Sequence, residues 1–314
     1  MAVTYTQAQA VSKSYFDTVI EQIIYDDSAF TTKLKQKNLI KTRGGNDIRF
    51  PIRYLRLDKA DAIDPQDQIT YESKSTRTQG VQPWTYYVAQ ALISWKERQT
   101  NQGEPEIVSL VKDKAQEMKD DFWHRFATDL FATSAVTKRI TPLGVVVDSA
   151  ATFAALAPAD ATTWASGEDA SSTVMALYGA NSLAYRVNQA TFGKNHPTMH
   201  LTTRNLRSKF MSMFEGEKTA RDDDLAKAGF DNVLFMDGAV VSDAYCPAST
   251  WYGLDIDNWE LRVDPEYKPK LDDWFELKQI GYPNALARVM TWAGNTCCKM
   301  RRTNFKFTLL NYQS

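Results

Sequence analysis

The chain has 314 residues, of which 43% are hydrophobic, and a formal net charge of -1 at pH 7. This length and composition allow a sizeable core in one elaborated domain or two, and the balanced charge gives no sign of a strongly acidic or basic partner. The balance hides a segregation of charge, because residues 284–314 hold five basic side chains and no acidic ones, whereas residues 222–273 hold thirteen acids and four bases. We therefore expect different surfaces of the folded chain to carry opposite charge.

The cysteines and the N-terminus predict the compartment. Cys246, Cys297 and Cys298 are odd in number and lack the spacing of a disulfide framework, which favours a reducing environment. The N-terminus has no signal-peptide core, and no apolar run approaches the roughly 20 residues that cross a bilayer. We expect a protein that is made and kept in the cytoplasm and has no membrane partner.

The first hundred residues predict a helix followed by a long hairpin. Apolar residues recur at steps of three and four over residues 7–35, as in an amphipathic helix, and then alternate over residues 48–54, as in a half-exposed strand. Pro51 places this strand at a sheet edge or at a bulge. A polar stretch, 58–80, separates it from a second strand-like run, 83–95. A hairpin with so long a polar tip cannot stand alone in water, so we expect it to lie against another molecule or a neighbouring domain.

Residues 103–133 give the strongest helical pattern in the chain. Pro105 suits a first helical turn, and apolar residues then recur every three or four positions as far as Leu130. A helix of roughly 28 residues spans about 42 Å, which is long for a globular domain. We interpret it as a spine.

Shorter elements follow the spine. We predict a strand over 142–150, a helix over 172–189, and a short strand over 197–203 that leads into a helix over 204–215 with Thr203 as its N-cap. Further strands are predicted between 232 and 256 and from Trp274 to the C-terminus.

Motifs for catalysis or cofactor binding are missing from the sequence. It has no phosphate-binding Gly-rich loop, no dinucleotide fingerprint and no nucleophile elbow. His196 and His200 stand four apart, but Pro197 opposes a helix, and in an extended segment the two rings would lie about 13 Å apart. His124 is interpreted as a residue beside the apolar stripe of the spine. We therefore expect no catalytic, cofactor or metal site and no enzyme activity.

The C-terminal stretch "WAGNTCCKMRRTNFKF" predicts a strand. Adjacent side chains in a strand point to opposite faces, so Cys297 and Cys298 cannot both ligate one metal ion. We expect apolar residues to face inward and the basic side chains to be largely solvated. These basic residues are Lys299, Arg301, Arg302 and Lys306.

The order of these elements resembles the major capsid protein of tailed bacteriophages, with the α+β Hong Kong 97-type fold. The segments "PTMHLTTRNLRSKF", "DNVLFMDGAVVSDAYCPASTWYGLDIDNWEL" and "WAGNTCCKMRRTNFKFTL" are similar to the family's strand and helix, apical stretch and closing strands. Ala239 departs from the family, which often has proline there. From the short N-terminal region we expect no fused scaffolding segment, which implies a separate scaffold protein or none.

The resemblance implies a division into five regions. They are an N-terminal arm (1–40), an extended hairpin loop (41–100), a peripheral domain (101–189) with the spine helix (104–133), an axial domain (190–267), and C-terminal strands that return to the peripheral domain (268–314).

The resemblance also implies the chain's partners. These are further copies of the chain in pentamers and hexamers, a portal, separate scaffolding or decoration proteins, and double-stranded DNA on the inner face of an icosahedral virion shell assembled in the host bacterial cytoplasm. The arm and the loop would lie on a neighbouring copy. The residues expected at these contacts are Tyr15, Phe16, Arg49, Arg53, Arg56, Trp84 and Tyr86.

Three alternatives remain open from the sequence. An encapsulin-type cage shares the fold and loads enzymes in place of DNA. A metal-dependent cytoplasmic hydrolase would use His124, His196 or His200 with nearby acids. A nucleic-acid binder would use the basic C-terminal strand, and its affinity would depend steeply on salt.

Overall fold

The computed structural model describes residues 28–55, 57–58, 60, 62–64, 68, 71–100, 104–159, 163–214, 223–227, 232–277 and 285–311. Its helices are α1 (Ala29–Gln36), α2 (Trp95–Thr100), α3 (Glu104–Leu130), α4 (Leu143–Val146), α5 (Leu183–Ala190), α6 (Arg204–Ser212) and α7 (Asp223–Lys227). Its strands are β1 (Ile40–Thr42), β2 (Ile48–Arg53), β3 (Arg77–Gln82), β4 (Thr85–Ile93), β5 (Gly167–Asp169), β6 (Met199–Thr202), β7 (Asn232–Phe235), β8 (Gly238–Ser242), β9 (Trp251–Leu254), β10 (Trp259–Val263), β11 (Lys270–Leu271), β12 (Phe275–Glu276), β13 (Leu286–Cys298) and β14 (Phe305–Phe307).

The chain forms two compact units, each assembled from three stretches of sequence. Unit 1 comprises residues 1–45, 84–142 and 261–296, and unit 2 comprises residues 46–83, 143–260 and 297–314.

The spine helix is the main helix of unit 1. Helix α3 begins at Glu104 and ends at Leu130, close to the predicted 104–133. Its stripe from Val111 to Leu130 is buried, as the spacing predicts. Phe122 and Phe126 of this stripe contact Tyr87 of β4 and Trp292 of β13 through aromatic rings whose centroids lie 5.3 to 6.3 Å apart. The helix therefore covers one face of the sheet in unit 1.

That sheet has β13 as its central strand. Nine residues of β13, Leu286 to Gly294, pair antiparallel with β4, and β11 and β12 pair with the same strand. Strand β13 also pairs with β10, and the order continues from β10 to β1, which runs parallel to β10. Strand β13, with 13 residues, thus pairs with most of the other strands of this sheet.

The predicted hairpin is wrong in its pairing. We expected residues 48–54 to pair with 83–95, but β2 pairs with β3 instead, from Ile48↔Gln82 to Arg53↔Arg77, and β4 pairs with β13. Alternation in sequence reports that a segment is a strand, but it does not report the partner of that strand. Because β2 and β3 form a sheet of only two strands, Pro51 does lie at an edge.

The two-stranded hairpin packs its inner face within unit 2. Ile48, Phe50 and Ile52 are buried, and the Phe50 ring lies 6.3 Å from that of Phe153. Gly80 makes this possible, because a Cβ there would lie 2.5 Å from Ile52 Cδ1 and 3.0 Å from Ala154 Cβ. The hairpin thus takes its stability from the neighbouring turn as well as from its own pairing.

The main sheet of unit 2 has the order β5-β14-β9-β6-β8-β7. Strand β6 leads into α6 as predicted, and the Thr203 side chain accepts a hydrogen bond from the N–H of Leu206 at 3.4 Å, the geometry of an N-cap. The apolar faces of α5 and α6 pack with Trp251, Phe305 and Phe307 in one buried cluster.

Two further elements differ from the sequence prediction. The segment 142–150 contains the short helix α4 rather than a strand, and the helix predicted over 172–189 begins only at Leu183. Ser182 caps it by accepting a hydrogen bond from the N–H of Tyr185, so a capping residue inside the apolar pattern determines where the helix begins. Of the helix predicted over 7–35, the structure describes only the end, where α1 covers Ala29–Gln36.

A tight turn next to the hairpin carries backbone strain. Phe153 and Leu156 exchange two backbone hydrogen bonds, and the two residues between them, Ala154 and Ala155, have φ of 54° and 61°. Left-handed φ costs an alanine about 1 kcal/mol, and glycine adopts it freely.

We predict that Ala155→Gly raises the free energy of unfolding by about 0.5 to 1 kcal/mol, because the exposed Ala155 side chain loses no packing. The control is Ala150→Gly, at an exposed alanine without positive φ, where the change should be destabilising by up to about 1 kcal/mol. Urea denaturation of both variants measures the difference. Equal destabilisation by the two changes would contradict the strain.

Candidate functional site

The predicted contact residues on the hairpin lie on its outer face. Arg49 and Arg53 are exposed on β2, and Arg77 is exposed beside them on β3. The hairpin is therefore apolar on the side that packs within unit 2 and basic on the other. Arg56, Tyr15 and Phe16, also predicted as contacts, lie outside the residues that the structure describes.

The segment between the two hairpin strands presents both charge and apolar surface to solvent. None of its described residues between Tyr54 and Thr76 belongs to a helix or strand. Leu57, Ile63 and Tyr71 are exposed, and Tyr71 retains 89% of its accessible surface. The sequence shows five acids here, Asp58, Asp61, Asp64, Asp67 and Glu72. We call residues 57–76 the hairpin tip.

A second candidate contact surface lies on the sheet of unit 1. Strand β4 buries alternate residues under α3 and leaves Tyr86 and Val88 61% and 66% exposed, with Leu92 exposed further along. Phe275, opposite Ala287 of β13, is exposed as well. Tyr86 was predicted as a contact residue, and it is exposed as that role requires.

Trp84, also predicted as a contact, is half-buried at the start of this strand. Its indole Nε1 donates to the carbonyl of Gly45 at 2.6 Å within unit 1. This tryptophan therefore has an intrachain partner that the sequence did not reveal.

The basic C-terminal stretch is not a solvated surface, and that prediction is wrong. Arg301 is fully buried, with 0% of its surface accessible. Its guanidinium donates to the carbonyls of Val145, Val146, Asp148 and Ala151 at 2.7 to 3.3 Å. All these acceptors lie in unit 2, about 150 residues earlier in the chain.

Lys306 is buried in the same region. Its Nζ donates to the carbonyl of Gly144 at 2.9 Å and to Oδ2 of Asp148 at 2.6 Å, and it lies 3.2 Å from Oε1 of Glu168. Burial alone would raise the pKa of Asp148, but Lys306 and the N–H groups of Ala150 and Ala151 hold that pKa below its ordinary value. Arg301 and Lys306 thus hold unit 2 together and are not available to phosphate.

The remaining two basic residues of the stretch are partly exposed. Lys299 pairs with Glu260, and the Arg302 guanidinium lies 3.6 Å from the ring centroid of Phe192, a close cation–π contact. If this stretch binds nucleic acid, the buried residues Arg301 and Lys306 therefore do not take part in the contact. The sequence prediction placed these side chains in solvent because their acceptors are main-chain carbonyls from distant segments, which no sequence pattern indicates.

The histidines and cysteines do not form a reactive site. His200 is fully buried, and its Nδ1 accepts a hydrogen bond from Trp251 Nε1 at 3.3 Å, whereas the His196 ring lies against the carbonyl of Lys194. All three cysteines are free and buried, and burial raises the pKa of Cys298 to about 12. Among the described residues, no three His, Cys, Asp or Glu side chains come together as a metal site requires.

Two adjacent cavities lie within unit 2 beside the base of the hairpin. Their volumes are about 450 and 400 Å³, and Thr163 and Arg302 line both of them. We call the smaller one the hairpin-base cavity. Arg53, Tyr54, Trp164, Phe192 and Met300 also line it. Sequence reasoning missed this site, because its lining residues come from four separate segments.

Comparisons with solved structures find chains of the same fold over almost their full length. A chain of the cyanophage A-1(L) capsid asymmetric unit matches with TM-score 0.67 and 15% identity, covering 87% of this chain and 90% of that one. The capsid of a native GTA particle gives 0.59 and 10%, covering 89% and 90%. The SrpI encapsulin complex from Synechococcus elongatus PCC 7942 gives 0.53 and 7%, covering 92% and 90%. No protein-family model and no curated protein matches.

These likenesses confirm the predicted fold. The chain has the α+β capsid fold that phage shells and an encapsulin share, with an extended hairpin, a spine helix and two sheets. None of the helices in the described ranges is both long and apolar enough to span a bilayer.

We predict that Arg301→Leu lowers the free energy of unfolding by about 3 kcal/mol or more, because it leaves buried carbonyls of unit 2 without a donor. The matched control is Arg302→Leu, which removes the cation–π contact with Phe192 and should cost about 1 kcal/mol. Urea denaturation compares the two. Equal losses would show that Arg301 is solvated after all.

We also predict a pH dependence from His200. Burial lowers the pKa of this residue from 6.5 to about 4, against a smaller opposing effect of the Phe235 backbone. Above pH 6.5 the imidazole is neutral in both states and contributes nothing. Between pH 6.5 and 4 only the unfolded chain takes up the proton, so stability falls, by about 2 to 3 kcal/mol between pH 7 and 4.5.

Denaturation of wild type and His200→Gln at both pH values isolates this contribution from that of the carboxylates. The variant should lose correspondingly less stability on acidification. An identical pH slope for His200→Gln and wild type would contradict the prediction.

Proposed function

We propose that the chain is a major capsid protein, many copies of which assemble into an icosahedral shell that packages double-stranded DNA. The observation that carries the proposal is the likeness to the cyanophage A-1(L) capsid chain, which extends over 87% of this chain and 90% of that one at a TM-score of 0.67. The role is structural. In support, the described residues hold no metal-ligand cluster, and the sequence has no nucleophile motif.

Exposed apolar side chains support assembly with further copies. Tyr86, Val88 and Leu92 on unit 1 and Tyr71 on the hairpin tip are exposed in the single chain. Each apolar Å² transferred from water into a contact contributes about 25 cal/mol. Tyr86, Val88 and Leu92 lie on one face of β4, and several exposed apolar side chains on one face are typical of protein interfaces. Repeated heterologous contacts then close into rings and shells, here pentamers and hexamers.

The functional regions follow the sequence prediction with one change. We assign the extended loop to residues 46–83 rather than 41–100, because β4 is a strand of the sheet in unit 1. We keep the N-terminal arm as residues 1–40, the peripheral domain as 101–189, the axial domain as 190–267 and the closing strands as 268–314. In this proposal the arm and the hairpin tip contact neighbouring copies.

The partners and location follow from the proposed role. DNA fills the shell, a portal occupies one vertex, and separate scaffolding or decoration proteins act during assembly in the host bacterial cytoplasm. A procapsid of satellite phage P4 that contains the size-determination protein Sid has the same fold at a TM-score of 0.50, which is a precedent for a separate size-setting partner. The mature location is the virion capsid.

An encapsulin-type cage is the second candidate, favoured by the match to the SrpI complex at a TM-score of 0.53. The two candidates differ in cargo. Particles from infected cells should contain double-stranded DNA if the first proposal holds and a protein cargo if the second does. Nuclease-protected nucleic acid and mass spectrometry of the particles distinguish them.

We predict that replacing residues 58–74 with two glycines blocks shell assembly and preserves the fold. This deletion keeps Ser75 and Thr76, which bond Tyr54, and the whole of β3. The free energy of unfolding should change by less than about 1 kcal/mol, because those of the removed residues that the structure describes are all exposed.

Negative-stain electron microscopy of the purified variant and wild type counts the shells that each protein forms, and urea denaturation is the control for folding. Normal shells from the deletion variant would contradict the role of the hairpin tip in assembly. An unfolded variant would show instead that the tip is required for the fold of the single chain.

A further inference from the structure

The two adjacent cavities of unit 2 are lined by cations. Their volumes, about 450 and 400 Å³, are in the range of small-molecule sites. The described residues that line them include Arg53, Arg186, Arg301 and Arg302, and none of these lining residues is acidic. Arg301 donates to main-chain carbonyls and Arg302 contacts Phe192, so each of these two already has a partner within the chain. The positive charge nevertheless makes both cavities attractive to an anion.

The hairpin-base cavity has an apolar wall and a buried donor without a partner. Trp164, Phe192 and Met300 line it. Trp164 is only 2% exposed, and its indole N–H has no hydrogen-bond partner among the described residues. Buried donors are rarely left unsatisfied, and one ordered water would fill only a small part of this volume. The cavity therefore suits an aromatic ring that carries an acceptor group for the indole.

The larger cavity, beside α5, holds a second buried donor. Arg186 of α5 lines it, and its guanidinium is held in place, because Nη2 binds Oδ2 of Asp169 at 2.8 Å and Nη1 donates to Oε1 of Gln189 at 3.1 Å. The remaining donor, Nε, is buried and has no hydrogen-bond partner among the described residues. An arginine N–H binds an anionic oxygen most strongly. A single N–H favours a carboxylate over a phosphate, which has three oxygens to satisfy.

We propose that the two cavities together bind a small aromatic carboxylate. Its ring lies against Trp164 and Phe192, a polar group on the ring accepts a hydrogen bond from the indole N–H, and its carboxylate accepts one from Nε of Arg186. A single ligand extends into both cavities because they share Thr163 and Arg302 as lining residues. The site is independent of the proposed shell assembly.

Isothermal titration calorimetry of the purified full-length protein tests the ligand class with two probes of the same shape. The first is para-hydroxybenzoate, which carries a hydroxyl acceptor and a carboxylate on one ring, and the second is the neutral para-hydroxybenzamide. We expect saturable binding of para-hydroxybenzoate, about tenfold tighter than that of the amide, because only the carboxylate forms a charge-assisted hydrogen bond. Equal affinities, or no saturable binding of para-hydroxybenzoate, would overturn the proposal.

Two variants assign the probes to the two donors. Trp164→Phe keeps an aromatic ring and removes the indole N–H, so it should weaken the binding of both probes by about fivefold. Arg186→Gln should reduce the affinity for para-hydroxybenzoate to that for the amide and leave the affinity for the amide unchanged. Unchanged binding of both probes by either variant would overturn the assignment of that donor to the site.

Matched controls lie outside the lining of both cavities. Trp274→Phe removes another buried indole N–H that has no partner among the described residues, and Arg204→Gln removes an exposed arginine of α6. Both control variants should bind the two probes as wild type does. Weaker binding by the controls, equal to that of the site variants, would show a general effect on the fold and overturn the site.

Nuclear magnetic resonance of the indole N–H groups gives a readout that a structural effect of these changes would not reproduce. The Trp164 signal is the one that Trp164→Phe removes from the proton–nitrogen correlation spectrum. Adding para-hydroxybenzoate to wild type should shift this signal downfield as the hydrogen bond forms. An unshifted signal at saturation would overturn the site. The proposed shell assembly would still stand, because electron microscopy measures it without the ligand.

Discussion

The buried guanidinium of Arg301 is the interaction on which unit 2 depends. One side chain donates to four main-chain carbonyls between Val145 and Ala151 and so holds the C-terminal turn against the segment that follows α3 in the chain. Lys306, two carboxylates and Gly144 extend the same network. Such a cation is tolerated inside a protein because its donors are satisfied, and removing it would leave several acceptors without partners.

Several basic side chains are buried and several apolar side chains are exposed, which is the opposite of what residue type alone suggests. Of the four basic residues of the C-terminal stretch, Arg301 and Lys306 are inside, and aromatic and aliphatic residues such as Tyr71, Tyr86 and Val88 are outside. A monomer leaves this apolar surface in water, whereas a closed shell buries it between copies. The chain thus satisfies the buried cations Arg301 and Lys306 internally, and under the proposed function its exposed apolar side chains contact neighbouring copies.

The sequence predicts the local elements better than their partners. The stripe of α3 from Val111 to Leu130, the Thr203 N-cap and the edge position of Pro51 all follow from spacing and residue type. The pairing of β4 with β13 does not, because the two strands are about two hundred residues apart and alternation alone does not specify a partner. Arg301 was misplaced for a related reason, since its acceptors are main-chain carbonyls and leave no mark on the sequence. The hairpin-base cavity could not be predicted either, because residues from four separate segments of the chain line it.

Sedimentation velocity of the purified full-length chain over a range of concentrations tests the central claim most directly, because shell subunits must associate with copies of themselves. The account predicts pentamers, hexamers or closed shells whose population rises with concentration. A single 35.6 kDa species at every concentration would contradict it.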